Sequence, residues 1–201
     1  MEQEHKLLLN LASVNISSTI PLNFSSYLTT LRLTYTQLRG LLPERVFHLS
    51  NLEFLHLSEN PQLTVRFPTI KWNSSAALME LYLKEVNFTG PIPKPLWSLT
   101  NIEVLQLDNN HLEGPLSQLL RFGKLRELSL RNNNMDGRLE FLSFNRSWTQ
   151  LERLEFSSNS LTGPIPSNGS SIIPPLCAST NDSVATQAIV VLLHFPIQLA
   201  P

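Results

Sequence analysis

The chain has 201 residues, about one in five of them leucine, with 15 Lys and Arg against 16 Asp and Glu and a formal net charge of −1. That length suits one globular domain or one repeat array, and the leucine excess favours the array. Balanced charge argues against a general nucleic-acid or anionic-membrane surface. No stretch approaches the roughly 20 apolar residues of a membrane helix, the longest being Ala188–Phe195.

The opening MEQEHKLLLN carries acidic residues where an export signal needs basic ones, and its apolar run falls on the first of a series of similar segments. Those segments are aligned by Leu9, Leu31, Leu55, Leu81, Leu105, Leu128 and Leu154, at gaps of 22, 24, 26, 24, 23 and 26 residues. Each is followed two residues on by Leu11, Leu33, Leu57, Leu83, Leu107, Leu130 or Phe156. The first unit is incomplete, with Lys6 where an opening Leu belongs, and its strand is expected to be a poorly protected edge. The second, Leu28–Pro43, puts Thr36 at a position that is Asn60 in the third, Leu52–Pro68, which also inserts one residue before Leu63. The fourth, Leu78–Pro93, has Val86 there; the fifth, Ile102–Leu116, and the sixth, Leu125–Leu139, have Asn110 and Asn133. The seventh, Leu151–Pro166, reads LERLEFSSNSLTGPIP with Asn159.

This is the leucine-rich-repeat template, about seven units over residues 1–166. Side chains alternate across a strand, so the paired leucines share a face that only stacked copies can cover, each buried Leu contributing roughly 1.5–3 kcal/mol. The asparagine is expected to bond neighbouring backbone. Gly40, Gly90, Gly114, Gly137 and Gly163 allow positive φ, and Pro43, Pro93 and Pro166 stop a strand ladder. Segments such as Pro95–Leu99 and Leu116–Leu120 have room for a helical turn or two. The fold class is therefore α/β, a curved leucine-rich-repeat solenoid with a parallel β-sheet on its concave face. Residues 167–201 hold no unit; their SNGSSIIPPLC start predicts a disordered tail, and for Ile189–Phe195 pairing with the last repeat and aggregation both stay open.

The concave side chains form two columns. The central one is Asn10, Arg32, His56, Tyr82, Gln106, Ser129 and Glu155; its neighbour is Ala12, Thr34, Ser58, Lys84, Asp108, Arg131 and Ser157. Their mix of charge and aromaticity suits a peptide, protein or glycan ligand. The chosen binding residues are Arg32, His56, Tyr82, Lys84, Gln106, Asp108, Arg131 and Glu155, against the plain alternative of a solvated polar sheet. Catalysis is not expected: His5, His48, His56, His111 and His194 lack metal-ligand spacing, no phosphate loop or kinase segment occurs, and Glu155 and Asp108 sit two repeats apart with no reason to titrate together. No cofactor or metal is expected either, and Cys177, the single cysteine, excludes an internal disulfide. N-x-S/T sequons begin at Asn15, Asn23, Asn73, Asn87, Asn145, Asn168 and Asn181, with Asn15 and Asn87 in the same slot of their repeats.

The LTGPIP and FTGPIP endings resemble the plant-specific class of extracellular leucine-rich repeats. NFSSYLTTLRL, LPERVFHLSNLEFLHLSENPQLTVRFP and PIPKPLWSLTNIEVLQLDNNHLEGPL resemble the receptor-like proteins of solanaceous plants that detect pathogen molecules at the cell surface. The resemblance implies a defence-related, glycosylated recognition module on the extracellular side of the plasma membrane, with a co-receptor as a further partner. In that family an export signal and a cysteine-paired cap precede the repeats and a membrane helix follows them. None is legible here, so the sequence predicts a truncated receptor. The alternatives are a secreted inhibitor of pathogen cell-wall hydrolases of the polygalacturonase-inhibitor type and a non-functional truncation.

Overall fold

A computed structural model describes residues 6–20, 23–66, 77–92, 96, 99–115, 123–138, 150, 152–162 and the backbone of 190–192. Several sequence expectations lie outside those residues: Pro93, Pro95, the Leu116–Leu120 segment, Leu151, Gly163, Pro166, Cys177, and the sequons at Asn73, Asn145, Asn168 and Asn181. The same holds for the boundary after residue 166 and for the tail apart from 190–192.

The repeats stack as expected. Strands β1 (Leu7–Asn10), β2 (Leu28–Arg32), β4 (Phe54–His56), β6 (Glu80–Tyr82), β8 (Val104–Gln106), β10 (Glu127–Ser129) and β12 (Arg153–Glu155) form a parallel ladder in that order. Leu9, Leu31, Leu55, Leu81, Leu105, Leu128 and Leu154 lie opposite one another in register. From Leu31 to Leu128 these side chains are fully buried, and so are Leu57, Leu83, Leu107 and Leu130 two residues on. The ladder continues past the assigned strands, since the Leu33, Leu57, Leu83, Leu107 and Leu130 N–H groups donate to the carbonyls of His56, Tyr82, Gln106, Ser129 and Glu155. In this ladder β1 is poorly covered, and Lys6, standing for the opening leucine, is exposed and pairs with Glu53 at 2.9 Å.

Opposite the first sheet lies a second, which the sequence did not disclose. Strands β3 (Arg39–Leu41), β5 (Asn60–Val65), β7 (Val86–Pro91), β9 (His111–Pro115) and β11 (Asn134–Asp136) pair in parallel, neighbour to neighbour. Here Leu38, Leu63, Phe88, Leu112 and Met135 are buried, while Asn87, Glu113 and Asp136 face out. The core is the sandwich of leucine columns between the two sheets. The named helical element among the described residues is one 3-10 turn, Glu44–His48, entered through Pro43 and burying Val46 and Phe47. Among the described residues the solenoid is thus built of two sheets with little helix.

Asparagines fasten four of the turns to the one before. Asn60 Oδ1 accepts the N–H groups of Thr36 and Leu38, and its Nδ2 donates to the carbonyls of Leu33 and Leu57, both at 2.8 Å. Asn110, Asn133 and Asn159 repeat the arrangement, accepting from Phe88, Leu112 and Met135 and donating to carbonyls of their own and the preceding repeat. The amide supplies one acceptor and two donors to buried backbone that would otherwise go unpaired. Val86 cannot do this, and beside it the register of β5 against β7 shifts between Asn60 and Thr64. Gly40 and Gly137 hold φ of +81° and +87°, and an added Cβ would come within 3.2 Å of Thr19 and Pro115 respectively.

One strand reverses the pattern. β13 (Val190–Leu192) pairs antiparallel with β12, Leu154 lying opposite Val191. Of the two outcomes the sequence left open for Ile189–Phe195, the structure has pairing.

Candidate functional site

The outward face of the first sheet collects the chosen residues, because every side chain between two core leucines must point away from the core. They fall into two groups. Toward the first repeats, His56 and Tyr82 stack with ring centroids 4.7 Å apart, and Phe54 joins them at 5.4 Å from Tyr82 and 6.1 Å from His56. The Arg32 guanidinium lies 5.4 Å over the Phe54 ring. All four are half-buried. Burial, reinforced by the Arg32 charge and opposed by Glu59, lowers the His56 pKa to about 4, so the imidazole is neutral at physiological pH. Burial also pushes the Tyr82 phenol up, aided by the hydrogen bond its hydroxyl donates to Glu80 at 2.8 Å. The buried His56 Nδ1 and Thr34 Oγ1 have no hydrogen-bond partner.

Toward the later repeats, Lys84, Gln106, Asp108, Arg131 and Glu155 surround an open depression of about 360 Å³, with Asn109, Glu127, Ser129 and Arg153 completing its wall. Gln106 donates to Glu127 at 2.7 Å, and Arg153 bridges Glu127 at 3.4 Å and Glu155 at 2.6 Å. Asp108 Oδ1 accepts the Arg131 backbone N–H at 2.7 Å, the use Ser58 makes of its hydroxyl against the Lys84 N–H in an earlier repeat. Asp108 therefore fastens two turns as well as lining the depression.

The expectation that Asp108 and Glu155 are independent needs correction. The Ser129 hydroxyl stands between them, close to Asp108 Oδ1 and 3.2 Å from Glu155 Oε2, with one proton to donate. Burial raises the Asp108 pKa; the Ser129 and Arg131 hydrogen bonds pull it back, and the Glu155 charge adds to the rise. The repeat between them supplies the bridge.

A third column was missed. Thr30, Phe54, Glu80, Glu127 and Arg153 precede the aligned leucines and share the outward face with the central column. Phe54 is a partner in the first group and Arg153 in the second. Strand alternation was the signal, since residues two apart face the same way. Among the described residues no group of three or more His, Cys, Asp and Glu could hold a metal ion, and no helix is long and apolar enough to cross a membrane. Asn15, Asn23 and Asn87 are exposed, and Asn87 Nδ2 donates to Thr64 Oγ1 across the second sheet at 3.3 Å.

Comparison with known proteins adds the family context. The Leucine Rich Repeat family model matches residues 150–176. The chain is 66% identical over 188 residues to a protein named Receptor-like protein Cf-9 homolog from Solanum lycopersicum, a match taking in 82% of this chain and 22% of that relative, so the chain spans about a fifth of its length. Among solved structures, it is similar to the leucine-rich-repeat ectodomain of the receptor kinase SOBIR1 from Arabidopsis thaliana, with 33% identity, a TM-score of 0.58 and coverage of 68% of this chain and 74% of that one. It is also similar to the Arabidopsis receptor kinase HAESA, solved in complex with the peptide hormone IDA and the co-receptor SERK1, with 27% identity, a TM-score of 0.64 and coverage of 78% and 26%.

Proposed function

Since the chain belongs to the plant leucine-rich-repeat receptor-like proteins, we propose that the outward face of its first sheet is a recognition surface for a peptide, protein or glycan ligand in pathogen detection and defence. The observation that carries this reading is the half-exposed cluster of Arg32, Phe54, His56 and Tyr82. Folding the repeat demands leucines inside and tolerates any polar residue outside, yet three rings and a guanidinium gather there on neighbouring strands. Aromatic and Arg side chains are the residues that concentrate interface energy. The charged depression beside the cluster supplies polar, orienting contacts.

HAESA, with its peptide hormone and co-receptor, supports a similar division here, one ligand and one co-receptor. The proposed location is the extracellular side of the plasma membrane, where the exposed Asn15, Asn23 and Asn87 sequons would carry glycans. No chemical step is assigned to the chain; it acts by binding.

The test is capture from extracellular fluid of infected tomato leaf by immobilised chain, comparing wild type with Arg32→Ala, Tyr82→Ala and the second-sheet control Thr89→Ala. The expected result is that the first two lose saturable, competable ligand while Thr89→Ala keeps it and all three melt like wild type. Equal capture by all four proteins would refute the assignment of this face.

A further inference from the structure

The three outward columns of the first sheet carry the cations Arg32, Lys84, Arg131 and Arg153 and the carboxylates Glu80, Asp108, Glu127 and Glu155. Every one of those carboxylates is already engaged. Glu80 accepts the Tyr82 hydroxyl, Asp108 accepts the Ser129 hydroxyl and the Arg131 backbone N–H, and Arg153 holds both Glu127 and Glu155. Lys84 lies 3.7 Å from Glu59. That leaves the guanidinium groups of Arg32 and Arg131, neither of which has a carboxylate partner among the described residues.

The two are placed differently but on one face. Arg32 is half-buried and lies 5.4 Å over the Phe54 ring, which limits the directions its planar fork can take. Beside it, two buried polar atoms also lack hydrogen-bond partners: Thr34 Oγ1, two residues along the chain, and Nδ1 of His56, which pairs opposite Arg32. Arg131 stands exposed at the wall of the charged depression. From β2 to β10 there are four strand spacings of about 4.8 Å, and Arg131 is two residues further along its strand, which puts the two positions about 20 Å apart. Between them the central column presents the His56 and Tyr82 rings and then Gln106. An extended chain covers that distance in about six residues, at roughly 3.3 Å each.

We propose that this face takes an extended peptide with two acidic side chains about six residues apart and an apolar residue between them. One carboxylate pairs with Arg32, the other with Arg131, and the apolar side chain lies on the Tyr82 and His56 rings. A guanidinium can meet a carboxylate through two parallel hydrogen bonds, so two such points fix the register of the peptide as well as holding it. The inference rests on the reading of this face as a recognition surface and narrows its ligand to one charge pattern at one spacing.

The test is selection of a phage-displayed random peptide library, about twelve residues long or roughly twice the proposed span, on the immobilised chain. Enriched sequences are then measured as synthetic peptides. They are expected to carry pairs of Asp or Glu about six residues apart. Arg32→Gln and Arg131→Gln should each weaken binding by about tenfold or more while melting like wild type, since each removes a charge-assisted pair. Changing one peptide acid to its amide should cost nothing further in the first variant, and changing the other nothing further in the second. Arg39→Gln, which removes the same charge from the second sheet, should bind as wild type does. The proposal is overturned by a selection that enriches nothing, by enriched peptides without the paired acids, by arginine variants that bind as tightly as wild type, or by equal weakening from Arg39→Gln. Enriched peptides that lack the acids but are weakened by Tyr82→Ala would leave the recognition face standing and remove only its charge rule. Peptides indifferent to Tyr82→Ala and to both arginine variants would refute the face itself.

Discussion

Asn110 illustrates how much one side chain does in this fold: it accepts from Phe88 and donates to Leu83 at 2.7 Å and Leu107 at 3.0 Å, all within the core. Asn110→Ala strands those groups, and the expected cost is about 2–4 kcal/mol by chemical denaturation, since each unpaired buried polar group costs about 1–3 kcal/mol. A second residue effect concerns backbone. Ser13, Tyr35, Glu59, Glu85, Asn109, Asn132 and Ser158, one in each repeat, all hold positive φ. At φ 53° the exposed Glu85 sits where asparagine is better tolerated, and Glu85→Asn is expected to raise stability by about 1 kcal/mol. His56 sets the acid response. Its folded pKa of about 4 lies below the unfolded 6.5, so between these values the unfolded chain binds more protons, and stability is lost as pH falls through that window. The melting temperature of wild type should therefore drop further between pH 7 and pH 4.5 than that of His56→Phe. At this scale the asparagine role was legible, because a recurrent amide next to buried backbone has few other uses. The left-handed column was not, since Glu, Tyr and Ser occupy it as readily as Asn.

Between residues and the whole stand the strands. The first sheet could be read directly because two buried leucines per turn, one strand apart in every repeat, leave a period that nothing else imitates. The second sheet was hidden for a physical reason: its strands lie on or beside the repeat endings, where glycine and proline signal a turn. Each gains its neighbours only from the stacking already in place. Gly137 is the sharper case. Its φ of +87° strains any side chain, and a Cβ there would stand 3.2 Å from Pro115, so Gly137→Ala is expected to loosen β11 against β9, seen as faster amide exchange in Asn134–Asp136 with the β8 ladder intact. Alternation already places Phe54 and Arg153 on the outward face, in the third of its columns, beyond the two from which the sequence draws its binding residues. The Ser129 bridge between Asp108 and Glu155 depends on side-chain reach across three strands, which no sequence spacing specifies.

As a molecule, the chain is a ladder whose interior is uniform and whose exterior is not. The repeat fixes where the leucines go and leaves the outer columns free to vary, which is why architecture was readable and the identity of the ligand was not. Leu105→Asp tests the interior: an unpaired charge at a fully buried rung should abolish the cooperative melt. The exterior offers two sheets, of which only the first is proposed to recognise a ligand. Placing a photoreactive side chain at position 82 on the first sheet or at position 89 on the second, and exposing each protein to extracellular fluid of infected tomato leaf, separates the two faces. Saturable crosslinking from position 82 and none from position 89 is the predicted result; crosslinking from position 89 with none from position 82 would contradict the account.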